Sequence, residues 1–457
     1  MMMTSMNSLR NKLALLSIIT AVIVGGCSVN GYKDYPNSEK YAQQLEISMR
    51  KDVLDKWYPK VIDTVYGGYL SDLAYDWKVE GAQEKFIVIQ ARHVWALAEA
   101  SRFYPDRKKE YHRMAKQGLD FLYEKMWDDQ HGGFYSYVDR QGNVKRGSYA
   151  FVATKHTYGQ VFSIYALANY ADVFGKKDNN ALQWAQKTFQ WLEEHAYDEE
   201  FGGYFSYLKR DGTPYTGYFM EQPPKDQNCM IHVMEAFSEL YPVWPDERLR
   251  ERLQESLTLV KDTIRTEKNY LKLFFERDWT PISYQDSTDE AQYFLLDNVS
   301  FGHDVETVYL MLEAARALDT STEPVWNVGK KMVDHALDKG WDEKNGGFYL
   351  AGFYTSPEAP LEIVNDEKTW WAQAEAMNMF LEMANRYPED PRNYYQKFEK
   401  TWNYTQEYLI DEEHGGWYRD GLDTAPDRET SPKSDIWKAT YHTVRAYINN
   451  IQQLKEM

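Results

Sequence analysis

The stretch Asp128–Phe134 reads DDQHGGF, and the chain repeats its pattern. DTVYGGY begins at Asp63, DEEFGGY at Asp198, DEKNGGF at Asp342 and DEEHGGW at Asp411. Each is an aspartate, three further residues, a Gly-Gly pair and an aromatic. Successive copies start 65, 70, 144 and 69 residues apart, and 144 is two periods of 72. A sixth copy is therefore expected near residue 270, where EKNYLKLFFERDW (267–279) keeps the aromatics without the glycines.

A period far longer than one helix marks a repeated supersecondary unit. Long amphipathic runs such as FIVIQARHVWALAEASRFY and YGQVFSIYALANYADVFG fill the intervals. Two helices per unit and six units give twelve helices, which predicts an all-α fold, an (α/α)6 barrel of six helical hairpins. Gly-Gly supplies backbone conformations that other residues resist. The aromatic after it is expected to start short β-hairpins (GGFYSYVDRQG, GGYFSYLKRDG) gathered at one end. An open solenoid is the alternative, but it needs special capping repeats, whereas a ring of six closes on itself.

The first 26 residues read as a targeting segment, set apart from the fold. Arg10 and Lys12 precede the apolar run LALLSIITAVIV (13–24), too short to span a bilayer comfortably. VGGC then ends at Cys27 and resembles a bacterial lipobox, with Cys27 as the lipidated first residue of the mature chain. The expected organisation is a lipoprotein signal peptide over 1–26, a linker over 27–45 and a catalytic barrel over 46–457. The membrane contact is then the lipid alone, on the periplasmic or cell-surface side. Without Arg10 and Lys12 the formal charge falls from −18 to −20, a surface that repels nucleic acid. With Cys27 lipidated, Cys229 has no disulfide partner. Neither GxGxxG nor GxxxxGK[ST] occurs, so no nucleotide cofactor is expected. Aromatics make up 16% of residues, more than core packing alone demands, and suit sugar-like ligands.

In FGHDVETVYLMLE (301–313), Val305, Val308, Tyr309 and Leu312 recur at i, i+3, i+4, i+7. His303 and Glu306 break the apolar character of the opposite face. An inner barrel helix is buried on both sides, so these two are expected to point into a central cavity. Similar breaks recur on other runs: Arg92 and Trp95 in ARHVWALAE, and Asn228, His232 and Glu235 in NCMIHVMEAF. TWWAQAEAMNMF supplies Trp370, Trp371 and Glu375, and IWKATYHTVRAY supplies Trp437, Tyr441, His442 and Arg445. No metal is expected, because His232, His303 and His442 stand 71 and 139 residues apart without a local ligand pair.

From about residue 50 to 450 the chain resembles the N-acylglucosamine 2-epimerase family, most closely its cellobiose 2-epimerase branch. GHDVE, WWAQAEAM and WKATYH in that order carry the resemblance. It implies an (α/α)6 barrel, with His303 and His442 at the two acid/base positions. Arg92, His232 and Glu306 match polar residues of the same pocket. Trp371, Glu375 and Trp437 match sugar-binding positions, with Asn228 and Trp370 beside them. Two positions depart from the pattern: Tyr309 stands where close cellobiose epimerases carry a tryptophan and is expected at the sugar, and Met230 replaces a histidine. Both bear on which sugar is bound.

Inverting C2 of a reducing sugar requires ring opening, loss of the C2 proton and its return to the opposite face. One base cannot easily serve both faces, and histidine accepts and donates protons near neutrality. Glu306, one turn from His303, is expected to fix that ring's tautomer. Arg92 is suited to stabilise the cis-enediolate. The expected activity is therefore cofactor-free interconversion of glucose and mannose at the reducing end of cellobiose or mannobiose, by a monomer or homodimer. An aldose–ketose isomerase or N-acylglucosamine 2-epimerase of the same family is the nearest alternative. A glycoside hydrolase would need two flanking carboxylates, such as Glu306 and Glu375, and leaves the histidines unexplained. A glycan-binding lipoprotein leaves Arg92, His303 and His442 unexplained.

Overall fold

The computed structural model describes residues 35–145, 155–175, 180–285 and 296–457. Cys27 and the expected signal segment lie outside these residues. Among those described, no helix is long and apolar enough to cross a membrane.

Among the described residues, twelve long helices divide into two rings by their sequence patterns. The outer helices are α1 (Ser38–Ser48), α3 (Lys108–Phe121), α5 (Ala181–His195), α7 (Glu247–Thr258), α9 (Glu323–Gly340) and α11 (Tyr394–Tyr404). On α3 the buried residues Tyr111, Met114, Ala115, Gly118 and Leu119 form one stripe at helical spacing. The inner helices are α2 (Ile87–Phe103), α4 (Thr157–Phe174), α6 (Gln227–Leu240), α8 (Phe301–Ala317), α10 (Trp370–Arg386) and α12 (Tyr441–Glu456). On α4 every residue from Thr157 to Ala171 is buried, as an element packed on both faces must be.

Each inner helix packs against its own outer helix and the next inner one, and α12 packs against α2 to close the ring. Loops complete the closure: Leu73 bridges Ser434, and the Trp77 indole donates to the His414 carbonyl. The barrel begins earlier than residue 46. Helix α1 starts at Ser38 and packs on α12, and Tyr35 ahead of it is buried with its hydroxyl on the Ala384 carbonyl.

The repeated turn builds the front rim. In all five copies both glycines have positive φ, from 65 to 84°. A Cβ on Gly133 would also lie 2.9 Å from the Trp191 ring. Each turn aspartate receives a buried lysine from just ahead of the following inner helix. Lys85 reaches Asp63 (3.1 Å), Lys155 Asp128 (3.1 Å), Lys225 Asp198 (3.0 Å), Lys368 Asp342 (2.6 Å) and Lys433 Asp411 (2.5 Å). Gln90, Gln160 and Gln373, each fourth in an inner helix, accept from the backbone N–H of the turn's aromatic. Short antiparallel pairs join neighbouring units: β1 (Lys85–Phe86) with β2 (Tyr137–Val138), β3 (Lys155–His156) with β4 (Tyr207–Leu208), and β5 (Lys225–Asp226) with β6 (Phe274–Phe275). At the next unit β7 (Val299–Ser300), β8 (Ala351–Tyr354) and β9 (Leu361–Asn365) form a three-stranded sheet.

The sixth turn lies at Thr266–Tyr270 and is one residue shorter. Arg265 bridges Leu271 there, whereas Tyr197 bridges Tyr204 in the Asp198 copy. The shorter loop needs one left-handed residue, Asn269 at φ 68°, a conformation asparagine tolerates. The Thr266 hydroxyl donates to the Tyr270 carbonyl where an aspartate otherwise stands.

Candidate active site

The inner helices run parallel, so equal positions along them lie at equal depth in the barrel. Their second positions hold Tyr158, Asn228, Gly302, Trp371 and His442 at the front. Sixth positions hold Arg92, His232, Glu306 and Glu375, and ninth positions hold Trp95, Tyr165, Glu235 and Tyr309. A cavity of about 420 Å³ opens at the front, bounded by the first two layers. Arg92, Asn228, His232, His303, Glu306, Trp370, Trp371, Trp437 and His442 all line it. Glu375 lies fully buried behind His442.

Trp371 sits between the two histidines, its ring centroid 4.6 Å from His303 and 5.7 Å from His442. Gly302 makes this possible: a Cβ there would lie 2.7 Å from the Trp371 ring. The Nδ1 atom of His303 is 2.8 Å from the Ser300 hydroxyl, and that of His442 is 2.7 Å from Glu375 Oε1. Each ring thus keeps Nε2 for a ligand. Burial, with His232 and Arg92 nearby, pushes the His303 imidazole down to about 3. Burial also holds His442 well below its ordinary value, against the pull of Glu306. Both are neutral bases near pH 7.

Glu306 does not partner His303, contrary to the expectation from their spacing. The helix directs its carboxylate down the barrel axis, where Oε1 accepts from Arg445 at 2.6 Å and lies 3.7 Å from His442 Nδ1. Arg445 also donates to Glu375 at 2.6 Å and to Glu235. Glu235 in turn is 2.6 Å from His232 Nδ1. Burial raises the Glu235 carboxyl, but Arg445 and His232 outweigh it and hold it down to about 2. Glu306, Glu375 and His442 bring one ligand atom each within 4.8 Å of one another, a spacing that suits a metal ion. Arg445 already supplies a cation to both carboxylates.

Arg92 is fixed from two sides, donating to the Trp437 carbonyl (3.1 Å) and the Tyr158 hydroxyl (2.9 Å). Trp437, 37% exposed, stands at the mouth. Trp370 is almost wholly buried, with Arg419 and Lys438 each 5.5 Å from its ring. Tyr309 does not reach this cavity. It lies six residues beyond His303, about 9 Å further along the helix axis, and lines a second cavity of about 380 Å³ at the rear. Its hydroxyl accepts from Asn449 there. Met230 is fully buried off the cavity wall. Neither departure from the family pattern therefore touches the front cavity.

Sequence reasoning missed Tyr158 and the mouth charges Glu367, Arg419, Asp420 and Arg428. Tyr158 was available from register, since it shares the second position with Asn228, Trp371 and His442. The mouth charges lie on the connections between the long helices, where no period places a side chain. Arg428 reaches Glu367 (2.7 Å) and Asp420 (3.5 Å), so these charges largely satisfy one another.

The family model described as N-acylglucosamine 2-epimerase matches residues 68–446. A cellobiose 2-epimerase of Dictyoglomus turgidum is 27% identical over 87% of this chain and 95% of the relative. A D-mannose isomerase of Marinomonas mediterranea is 25% identical over 85% and 92%. The solved cellobiose 2-epimerase of Bacillus thermoamylovorans B4167 superposes with a TM-score of 0.78, at 25% identity over 91% and 99%.

Proposed function

The chain belongs to the N-acylglucosamine 2-epimerase family, and from that membership we propose that it interconverts glucose and mannose at the reducing end of a β-1,4-linked disaccharide such as cellobiose or mannobiose. The observation that carries the reading is the placement of His303 and His442 against one indole, Trp371. A sugar held over that ring meets an imidazole from each side.

In the open-chain sugar one imidazole takes the C2 proton, and the C–H electrons move toward C1 to give a cis-enediolate. The second imidazole, first protonated by water on Nε2, delivers that proton to the opposite face of C2, the aldehyde re-forms, and the first imidazole returns its proton to water. His442 is the stronger proton acceptor, because Glu375 on Nδ1 stabilises its imidazolium, whereas His303 is backed only by a hydroxyl. Arg92, already fixed by Tyr158 and the Trp437 carbonyl, faces the cavity to stabilise the enediolate oxygens. His232, paired with Glu235, supplies a further hydrogen-bonding group for ring opening. Trp437 at the mouth offers a flat surface to the second sugar ring.

The test is proton NMR of cellobiose and mannobiose incubated with enzyme in heavy water, beside free mannose and N-acetylglucosamine. The expected result is a C2 epimer of the disaccharide carrying deuterium at C2. The D-mannose isomerase relative supports a second reading, in which the same enediolate is protonated at C1. A ketose as main product, or a preference for a monosaccharide, selects that reading or the acylglucosamine one.

The residues around Cys27 support placing the enzyme on a bacterial membrane by a lipid, on the extracytoplasmic side. Metabolic labelling with a fatty acid should mark the wild type and not Cys27→Ser.

A further inference from the structure

Arg445 makes the contacts that join two histidine–carboxylate pairs. It is 3% exposed and donates from Nη1 to Glu235 and from Nη2 to Glu306 and Glu375. Glu235 holds the Nδ1 of His232 on α6, and Glu375 holds the Nδ1 of His442 on α12. The second oxygens of Glu306 and Glu375 have no hydrogen-bond partner among the described residues. Among the described residues Glu306 is hydrogen-bonded to Arg445 alone, Glu375 to Arg445 and His442, and Glu235 to Arg445, His232 and the Tyr441 hydroxyl, so the guanidinium is the one group common to all three carboxylates.

We propose that Arg445 is a positioning residue for both imidazoles, fixing the carboxylates of Glu235 and Glu375 and through them the tautomer and orientation of His232 and His442. The proposal rests on the two-histidine reading above. Guanidinium suits the task because it stays charged and presents donors in a rigid fork, so one side chain serves three carboxylates. A lysine offers a point charge with no such geometry. Three buried carboxylates around one cation would repel one another without it.

The groups facing this layer define its response to pH. Helix α6 contributes His232 and Glu235, and α8 contributes His303, Glu306 and Tyr309. Helix α10 contributes Glu375, α12 contributes Tyr441 and His442, α4 contributes Tyr158 and Tyr165, and α2 contributes Arg92. Removing the positive charge of Arg445 raises the proton affinity of both histidine–carboxylate pairs. Each pair then protonates at higher pH, and the acid limb of the rate profile moves upward.

Arg445 and Glu235 also line the rear cavity. Truncating Arg445 to alanine joins its vacated volume to that space, so a small cation can enter from the rear while substrate occupies the front. The experiment is Arg445→Ala, checked for folding by circular dichroism, with kcat, KM and the pH profile measured with and without millimolar guanidinium chloride. The expected result is a loss in kcat of about 10²-fold with KM little changed, as for a displaced catalytic geometry. Guanidinium should restore much of the rate and return the acid limb, without competing with substrate. Sodium chloride or urea at the same concentration should do neither.

A folded variant with wild-type kcat and an unmoved acid limb overturns the proposal, as does a loss that guanidinium leaves unchanged. If the alanine variant does not fold, Arg445→Lys carries the test, since it keeps the charge and loses the fork: a lowered kcat with KM little changed supports the proposal, and a wild-type kcat overturns it. His442→Ala is measured in parallel. Turnover retained there defeats the two-histidine reading, whereas an inactive His442→Ala beside a fully active Arg445→Ala defeats only the role of Arg445.

Discussion

The front and rear cavities are of similar size and lie on one ring of helices, and they differ in what their polar groups are bound to. At the rear, charges pair with charges along the wall: Arg102 with Glu99 and Asp172, and Arg316 with Glu313 and Glu382. At the front, the partners of His232 and His442 sit behind the imidazoles in the ionic layer around Arg445, His303 is backed by Ser300, and the outward ring nitrogens stay available. Volume alone therefore does not mark the reactive end. What sets the front apart is its imidazoles, whose Nδ1 atoms are partnered and whose Nε2 atoms are open.

Substitution at both ends is the strongest way to break this contrast. His303→Ala and His442→Ala should each cost roughly 10²–10⁴-fold in turnover, the usual range for a lost general acid or base. Glu313→Gln and Arg316→Gln at the rear should leave kcat/KM near wild type, since a half-exposed ion pair is worth about 1 kcal/mol or less. Steady-state rates on the preferred sugar decide it, and a rear variant as damaging as a front one would abolish the distinction.

A structural effect comes next. Lys155→Met leaves the buried Asp128 with Arg210 as its remaining charged partner and should cost about 3 kcal/mol, the low end for a broken buried pair. Lys272→Met, in the degenerate sixth unit where the partner is Asp297, should cost less, because that lysine is partly exposed. Urea unfolding of the two variants orders them.

Stability against pH separates the cavities by sign. His303 sits near 3 in the fold and at 6.5 in the unfolded chain. Its contribution is complete above pH 6.5 and drains away as pH falls toward 3. Glu239 at the rear is raised well above 4.5, by burial and then by Glu99. Its contribution is complete below pH 4.5 and is lost as pH rises beyond it. Melting temperatures from pH 4 to 8 should therefore show a shallower acid-side decline in His303→Gln and a shallower alkaline-side decline in Glu239→Gln. The turn aspartates do not blur the window, since Asp63 and Asp198 are held down to about 2.

The smallest effects sharpen the boundary between the ends. Tyr309→Trp should leave substrate preference unchanged, because residue 309 lines the rear cavity. A chelator should leave turnover unchanged, because Arg445 already bridges the Glu306 and Glu375 oxygens. A changed product ratio in the first, or loss and recovery with metal in the second, would redraw the site.

The fold was legible because its signal is periodic. Five Gly-Gly turns at a steady interval gave the unit count, and the spacing located the sixth at Asn269 even without glycines. The residues of the front layer were legible for the same reason, as polar breaks on apolar helices. What escaped lies across the barrel. Sequence neighbours on a helix suggested that Glu306 serves His303, yet its carboxylate meets Arg445 from 139 positions later. Tyr309 was misplaced because aligning a residue with a binding position ignores its depth along the helix. The lysines that staple the turns each stand some 22 to 27 residues beyond their aspartates, outside any local motif.

The early start of α1 has a consequence for how the enzyme presents itself. Tyr35 lies against the carbonyl of Ala384, near the C-terminal end of α10, and stacks on Tyr395 at the start of α11. The chain therefore joins the barrel at the rim away from the front cavity. A leash fastened ahead of Tyr35 would hold the molecule by its base, leaving its mouth turned outward to passing oligosaccharides. Moving the leash to the opposite rim, by permuting the chain to begin in the Asp139–Asn143 hairpin, would turn that mouth toward the surface and slow capture of large substrates without altering a single residue of the site.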